Sequence, residues 1–275
     1  MSIVTISHEM GAGGPEIGQK VAERLGLHYV DQELISDAAL RYGVLEEKLS
    51  SLDESKPSLF ERFDAETRRC ITVLQTALFE FAEKDRGVLM GRAGQWLLRG
   101  IPHVVRVRVM APFDLRVKRL AKKLSGQMGE QTNPRMVLDM ARRDDTEKLG
   151  RMRYLYEVDL RDPALYDLVL NTEKLSIDAA VELVAVAVQR PEIQTTPAGQ
   201  QLVADRSLAS QVQVALATNS ETRRYRITVE AKSGLVTLEG TAAMDEAVDV
   251  ARSVSGVREV KTQQVDIPPI PPFVA

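Results

Sequence analysis

The stretch IVTISHEMGAGGPEIGQKVAERLG, residues 3–26, decides the fold. Ile3 to Ser7 form a short apolar run suited to a buried strand, and from Pro15 onward Ile17, Val21, Ala22 and Leu25 recur near helical spacing until Gly26 stops the pattern. Between them lies HEMGAGGPE, residues 8–16, with Gly11, Gly13 and Gly14. Strand, glycine-rich loop and helix in that order set backbone N–H groups at a helix N-terminus, where they can wrap a phosphate. Against the phosphate-loop pattern G-x-x-x-x-G-K-[ST], His8 stands at the first glycine, Gly13 at the second, Gly14 at the lysine and Pro15 at the hydroxyl. The backbone half of the device is present and its side-chain half is absent. Pro15 suits a first helical position, while Glu16 would repel a phosphate unless a metal lay between them. A plain glycine-rich turn reads the same residues equally well.

Further along, GVLM (87–90), VVRVRVMA (104–111) and residues 167–171 read as strands, the second with one wetter face. Residues 32–84 are helical in pattern, interrupted by the polar SLDESKPS (51–58), with Val73, Leu74, Ala77, Leu78 and Phe81 on one face. A helix from Asp114 to about Ser125, a loop with Gly126, Gly129 and Pro134, and a helix running through residues 140–159 follow. After the strand at 167–171, Ser176 caps an apolar helix with Asp178 in its first turn. Strands alternating with helices predict an α/β fold with a parallel sheet covered by helices, its ligands at the carboxyl ends of the strands.

RPEIQTTPAGQQ (190–201) is broken by two prolines and a glycine and reads as a connector. Beyond it, a helix at 208–217, strands YRITVEA and LVTLEG around a KSG turn, a helix at 243–254 and a strand from Glu259 predict a small αββαβ unit. The expected division is 1–189, a linker at 190–206, a second domain at 207–267 and a proline-rich tail at 268–275. Chains cut between Asp205 and Arg206 are then expected to fold separately.

A net charge of −3 gives no global field for nucleic acid, although residues 92–123 carry nine Lys/Arg against Asp114 alone, so a local anionic ligand fits. Lys118, Lys122 and Lys123 read as a solvated helix face. The single cysteine, Cys70, excludes an internal disulfide and reads as a small apolar helix residue. With no signal-like N-terminus and no long apolar stretch, a cytoplasmic protein without a membrane span is expected.

The stretches at 3–26, GVLMGRAGQWLLRGIPHVVRVRVMAPFDLRVKRL (87–120), ARRDDTEKLGR (141–151) and YDLVLNTEKLSIDAAVELV (166–184) resemble, in order and spacing, the cytidylate kinases and their divergent cytidylate kinase-like branch, over about residues 3–187. The resemblance implies a P-loop kinase fold and phosphoryl transfer from ATP, with Mg²⁺, to a nucleoside monophosphate such as CMP or dCMP. It assigns the donor phosphates to Gly11, Ala12, Gly13 and Gly14. Arg92 takes the acceptor phosphate, in a Gly91-Arg92-Ala93 run where the family has Gly-Arg-Asp. An arginine fork matches phosphate oxygens, and the competing reading of Arg92 is a surface ion pair. RRDDTEKLGRMR (142–153) stands where the family has a mobile lid and supplies Arg143, Asp144, Lys148, Arg151 and Arg153. Of these Arg143, Arg151 and Arg153 are the expected stabilisers of transition-state charge. Members of the branch carry arginines where His8 and Pro15 stand, and no metal ligand is assigned.

VTLEGTAAMDEAVDVARSVSGVREVKTQQVDI (236–267) resembles the BON module, which implies a small ligand or a protein partner. Seven basic and eight acidic residues between 207 and 267 give little attraction to anionic lipid. Two other functions stand beside the kinase reading: an inactive nucleotide-binding sensor, and a BON-led interaction protein with the rest as scaffold.

Overall fold

The computed structural model describes residues 2–31, 33–44, 65–84, 86–128, 133–240 and 244–264. The SLDESKPS interruption, Gly129 and the proline-rich tail lie outside the described residues. Five parallel strands form the larger sheet in the order β2-β3-β1-β4-β5: β1 (Ile3–His8), β2 (His28–Val30), β3 (Gly87–Met90), β4 (Val104–Met110) and β5 (Leu168–Asn171). Helices cover both faces, and a separate three-stranded sheet follows, so the expected fold class is the observed one. The short β2 is not signalled by the sequence: three residues on a sheet edge carry no readable period.

Alternation along β1 feeds two cores. Ile3 packs with residues of α2 (Glu33–Tyr42), α3 (Ala65–Glu83) and α4 (Gly94–Leu97), including Cys70, Val73, Leu78 and Phe81. Val4 and Ile6 face α1 (Gly14–Leu25) and α7 (Ile177–Val188) on the other side. Ser176 caps α7 by accepting from the N–H of Ala179 at 3.1 Å, as its position in the sequence predicts. Registers of His8 with Val109 and of Met110 with Asn171 bring the carboxyl ends of the strands to one edge. There the loop after β1 meets α5 (Phe113–Met128) and α6 (Pro134–Tyr156).

The wetter face expected of β4 carries two arginines, Arg106 partly exposed and Arg108 buried. Arg108 is only 7% exposed, donating to Ser7 Oγ at 2.8 Å and pairing with Glu9 at 3.4 Å, while Arg106 is forked onto Asp167.

The connector is also different. Residues 197–218 form one helix, α8 (Pro197–Thr218), longer than the predicted 208–217. Thr196 caps it by accepting from the N–H of Gly199 at 3.1 Å, and Pro197 sits in its first turn, so residues that read as breakers are start signals. Val203 and Val214 of α8 belong to the α3 core, whereas Val212 and Leu216 belong to the second sheet's core. Arg206 Nη1 donates to the carbonyls of Leu97 and Arg99, while Asp205 Oδ1 accepts from the N–H of Ser233 at 2.6 Å. The place of the expected cut is therefore bonded to both sides.

The second sheet pairs β6 (Ile227–Lys232) antiparallel with β7 (Leu235–Gly240), and β7 parallel with β8 (Glu259–Gln264) through α9 (Met244–Arg252). Among the described residues no helix is long and apolar enough to cross a membrane.

Candidate functional site

The β1–α1 loop depends on glycine at two points. Gly11 has φ +84°, and a Cβ there would stand 2.6 Å from the Arg116 carbonyl oxygen of α5. Gly13, the N-cap of α1, has φ +90°, and a Cβ there would meet Ile177 Cδ1 at 2.5 Å. The Ala12 N–H turns inward to the Glu9 carbonyl at 3.0 Å, so the donor of that residue is already used within the loop. Gly14 opens α1 beneath the His8 side chain.

Buried ion pairs fix the loop's outer wall. Arg116, 4% exposed, forks onto Asp145 of α6 at 3.2 and 2.7 Å, donates to the Met10 carbonyl at 3.1 Å and pairs with Glu9 at 3.3 Å. Two helices are thereby tied to the loop through one guanidinium, and removing one partner of such a buried pair strands the others.

At the end of β3 three successive residues are left-handed: Gly91 at φ 65°, Arg92 at 55° and Ala93 at 56°. For residues with a Cβ this costs on the order of 1–3 kcal/mol each, strain that collects at functional sites. It turns Arg92 inward, where its side chain is 10% exposed and 3.4 Å from Asp31. Burial weakens the hold of Arg92 on its proton; the Asp31 charge opposes that effect and Arg151 adds to it.

His8 borders two cavities. One, of about 770 Å³, is bordered by His8, Gly11, Gly13, Glu16, Arg119 and Ile177, with Lys122 and Lys123 on its rim. Arg119 is anchored by donating to Thr172 Oγ1 and to its carbonyl, and the Thr172 hydroxyl donates to Ala12. A second cavity, of about 50 Å³, is bordered by His8, Arg92, Gln95, Lys148 and Arg151. Arg92 and Arg151 also border a third, of about 30 Å³, with Leu74, Gln75 and Tyr156. Gln75 Nε2 lies 3.5 Å from the Tyr156 hydroxyl, whose proton is held more tightly because the ring is buried.

Of the lid residues expected from the sequence, the structure brings Arg151 beside Arg92. Arg143 is 80% exposed and paired with Glu147, and Arg153 is paired with Asp159; neither borders these cavities. Lys122 and Lys123, read as a solvated face, border the large one. Lys20 is bound to Asp178 at 2.8 Å, away from the loop. The sequence reading gave no role to Arg119, Gln75 or Tyr156. Lys148 lies at i+4 from Asp144, a spacing visible in sequence, but the direction that face takes is not.

His8 is partly buried, and the loss of hydration, helped by the charges of Lys148 and Arg108, lowers its pKa from 6.5 to about 3. The ring is neutral near pH 7. The unfolded chain takes its proton near pH 6.5 and the folded one near 3, so this contribution is complete above the upper value and falls away as the pH drops between them. The slope from one such group is about 1.4 kcal/mol per pH unit. His8→Gln is expected to flatten the melting temperature against pH across that window. An unchanged slope would place the acid sensitivity elsewhere.

The cytidylate kinase-like family model matches residues 3–174, and the BON domain model matches residues 204–269. Cytidylate kinase of Staphylothermus marinus is 27% identical over 191 residues, 69% of this chain and 98% of that protein. Cytidylate kinase of Methanocaldococcus jannaschii is 28% identical over 190 residues, 68% of this chain and 97% of that protein. A crystal structure of an uncharacterized protein from Eubacterium ventriosum aligns with a TM-score of 0.52 at 20% identity, over 69% of this chain and all of that one, a likeness of fold. With a glycine loop between the first parallel strand and its helix and the family match over residues 3–174, the protein belongs to the cytidylate kinase-like family and carries a C-terminal BON domain.

Proposed function

We propose that the N-terminal part transfers a phosphoryl group from ATP to a nucleoside monophosphate, CMP or dCMP, across His8. The observation that carries this reading is the pair of cavities that share His8 as a wall. The larger one, bordered by loop glycines and the cations Arg119, Lys122 and Lys123, suits a nucleoside triphosphate. The smaller one suits the acceptor phosphate, with Arg92 and Arg151 as its ligands and Gln75 and Tyr156 near the base. The third cavity, of about 30 Å³ between Leu74 and Gln75 of α3 and Arg151 and Tyr156 of α6, would have to widen to admit the base. Magnesium is commonly held by substrate phosphates and one or two carboxylates, and Glu16, on the large cavity and 3.5 Å from Lys20, is placed to be that carboxylate. The cytidylate kinases among the relatives support the choice of pyrimidine acceptor.

Arg92→Ala should raise the acceptor KM roughly tenfold to a hundredfold, the worth of a charged hydrogen-bonded fork. Affinity for Mg·ATP should stay within about twofold, and Arg92→Lys should recover only part of the loss. A coupled transfer assay over the common monophosphates, with calorimetry for ATP, checks this. Equal losses for donor and acceptor would refute the assignment of Arg92. The absent loop lysine favours a second reading, a sensor that binds nucleotide without turnover. Mg·ATP binding with no transfer to any monophosphate would establish it.

A further inference from the structure

The loop contains no lysine, but one reaches it from α6. Lys148 Nζ lies 3.3 Å from the His8 carbonyl oxygen, held there by Asp144 at 2.9 Å. His8 occupies the first position of the phosphate-loop template, whose lysine serves the terminal phosphates of the donor. The ammonium also borders the cavity that contains Arg92 and Arg151, in which no carboxylate appears among the described residues. Three cations around a small cavity fit a multiply charged anion with oxygens on several sides.

We propose that Lys148 supplies, from α6, the ammonium that the glycine loop lacks, and that it contacts the phosphoryl group in flight. This rests on the phosphoryl-transfer reading above. In that step an acceptor phosphate oxygen bonds to the γ-phosphorus while the bond from that phosphorus to the β–γ bridging oxygen breaks, and the electron pair leaves with ADP. Lys148 keeps its protons throughout and offsets the negative charge spreading over the transferred oxygens. Coming from a helix instead of the loop, the cation moves with α6, so it arrives only when α6 lies against β1.

Lys148→Met keeps the length of the stem and removes the charge. In the full-length protein it should lower kcat by about 10²–10³, the usual loss for one charge-stabilising group, with the acceptor KM within about threefold. Lys148→Arg should recover part of the rate. The double variant Lys148→Met/Asp144→Asn separates charge supply from mere neutralisation of Asp144: it should stay slow. A kcat within about threefold of wild type for Lys148→Met, or full recovery in the double variant, would overturn the proposal. If the wild-type protein itself transfers no phosphate, the transfer reading fails, and binding then decides the role of Lys148. By calorimetry, Lys148→Met should weaken Mg·ATP about tenfold more than Mg·ADP, whereas equal weakening of the two removes Lys148 from the terminal phosphate.

Discussion

A chain that stops at Asp205 is expected to aggregate or melt without a cooperative transition, although the sequence places that cut in a connector. The stop falls in the middle of α8 and removes Val214 from the α3 core, together with the Ser210 carbonyl that accepts from Thr76 at 3.1 Å and the Ser207 hydroxyl that donates to Glu83 at 2.8 Å. It also removes Arg206 from the carbonyls that end α4. Losing one fully buried valine such as Val214 costs about 1.5–3 kcal/mol, a large part of a domain stability of about 5–15 kcal/mol once the buried hydrogen bonds are lost as well. The complementary fragment from Arg206 loses the Asp205 contact to Ser233, and a unit of this size has little margin. A chain ending at Thr218 keeps α8 and should regain a cooperative melt. Scanning calorimetry of the three chains checks this; a 1–205 chain melting near the full-length temperature would show that the shared helix contributes little.

Gly13→Val is expected to abolish nucleotide binding, by at least about 10²-fold, and to lower the melting temperature. Valine at φ +90° is strained by backbone sterics alone, a cost of about 1–2 kcal/mol or more for a β-branched residue. Its Cβ would also meet Ile177 Cδ1 at 2.5 Å, so the end of the Ile177 side chain must turn aside. Relief of the backbone strain rotates the peptide units at the α1 N-terminus and redirects their N–H groups. Gly13→Ala with Ile177→Ala relieves the steric part but not the backbone part, so it should regain some stability and remain a weak binder. Calorimetry with Mg·ATP on folded protein is the measurement. Binding at wild-type strength in Gly13→Val would move the donor site away from the loop.

Much of this molecule is local. The alternation of buried runs and helical patterns identified β1, β3, β4 and β5, and Ser176 and Gly26 marked helix ends, because side-chain period and capping depend on near neighbours. The glycine loop was legible for the same reason: its backbone requirements sit within seven residues, 8–14. The thread Val137, Ala141, Asp144, Lys148 and Met152, spaced three to four apart, could even have singled out one face of α6.

What that face meets was decided elsewhere in the chain. Arg116 binding Asp145 and Lys148 reaching His8 are contacts between residues 29 and 140 positions apart, and they turn Lys148 and Arg151 toward the loop while Arg143 faces solvent. No local propensity contains that choice, since on an isolated helix all of these cations are equally solvated. The same holds for α8: its proline and glycine read as a break until Thr196 caps the turn and α3 offers Val203 a core to enter. The sequence by itself determined the elements and their order, because those follow from short-range sterics and periodicity. Only tertiary packing decided which cations share a cavity and that one helix serves two cores, because burial against distant partners outweighs local preference wherever the two compete.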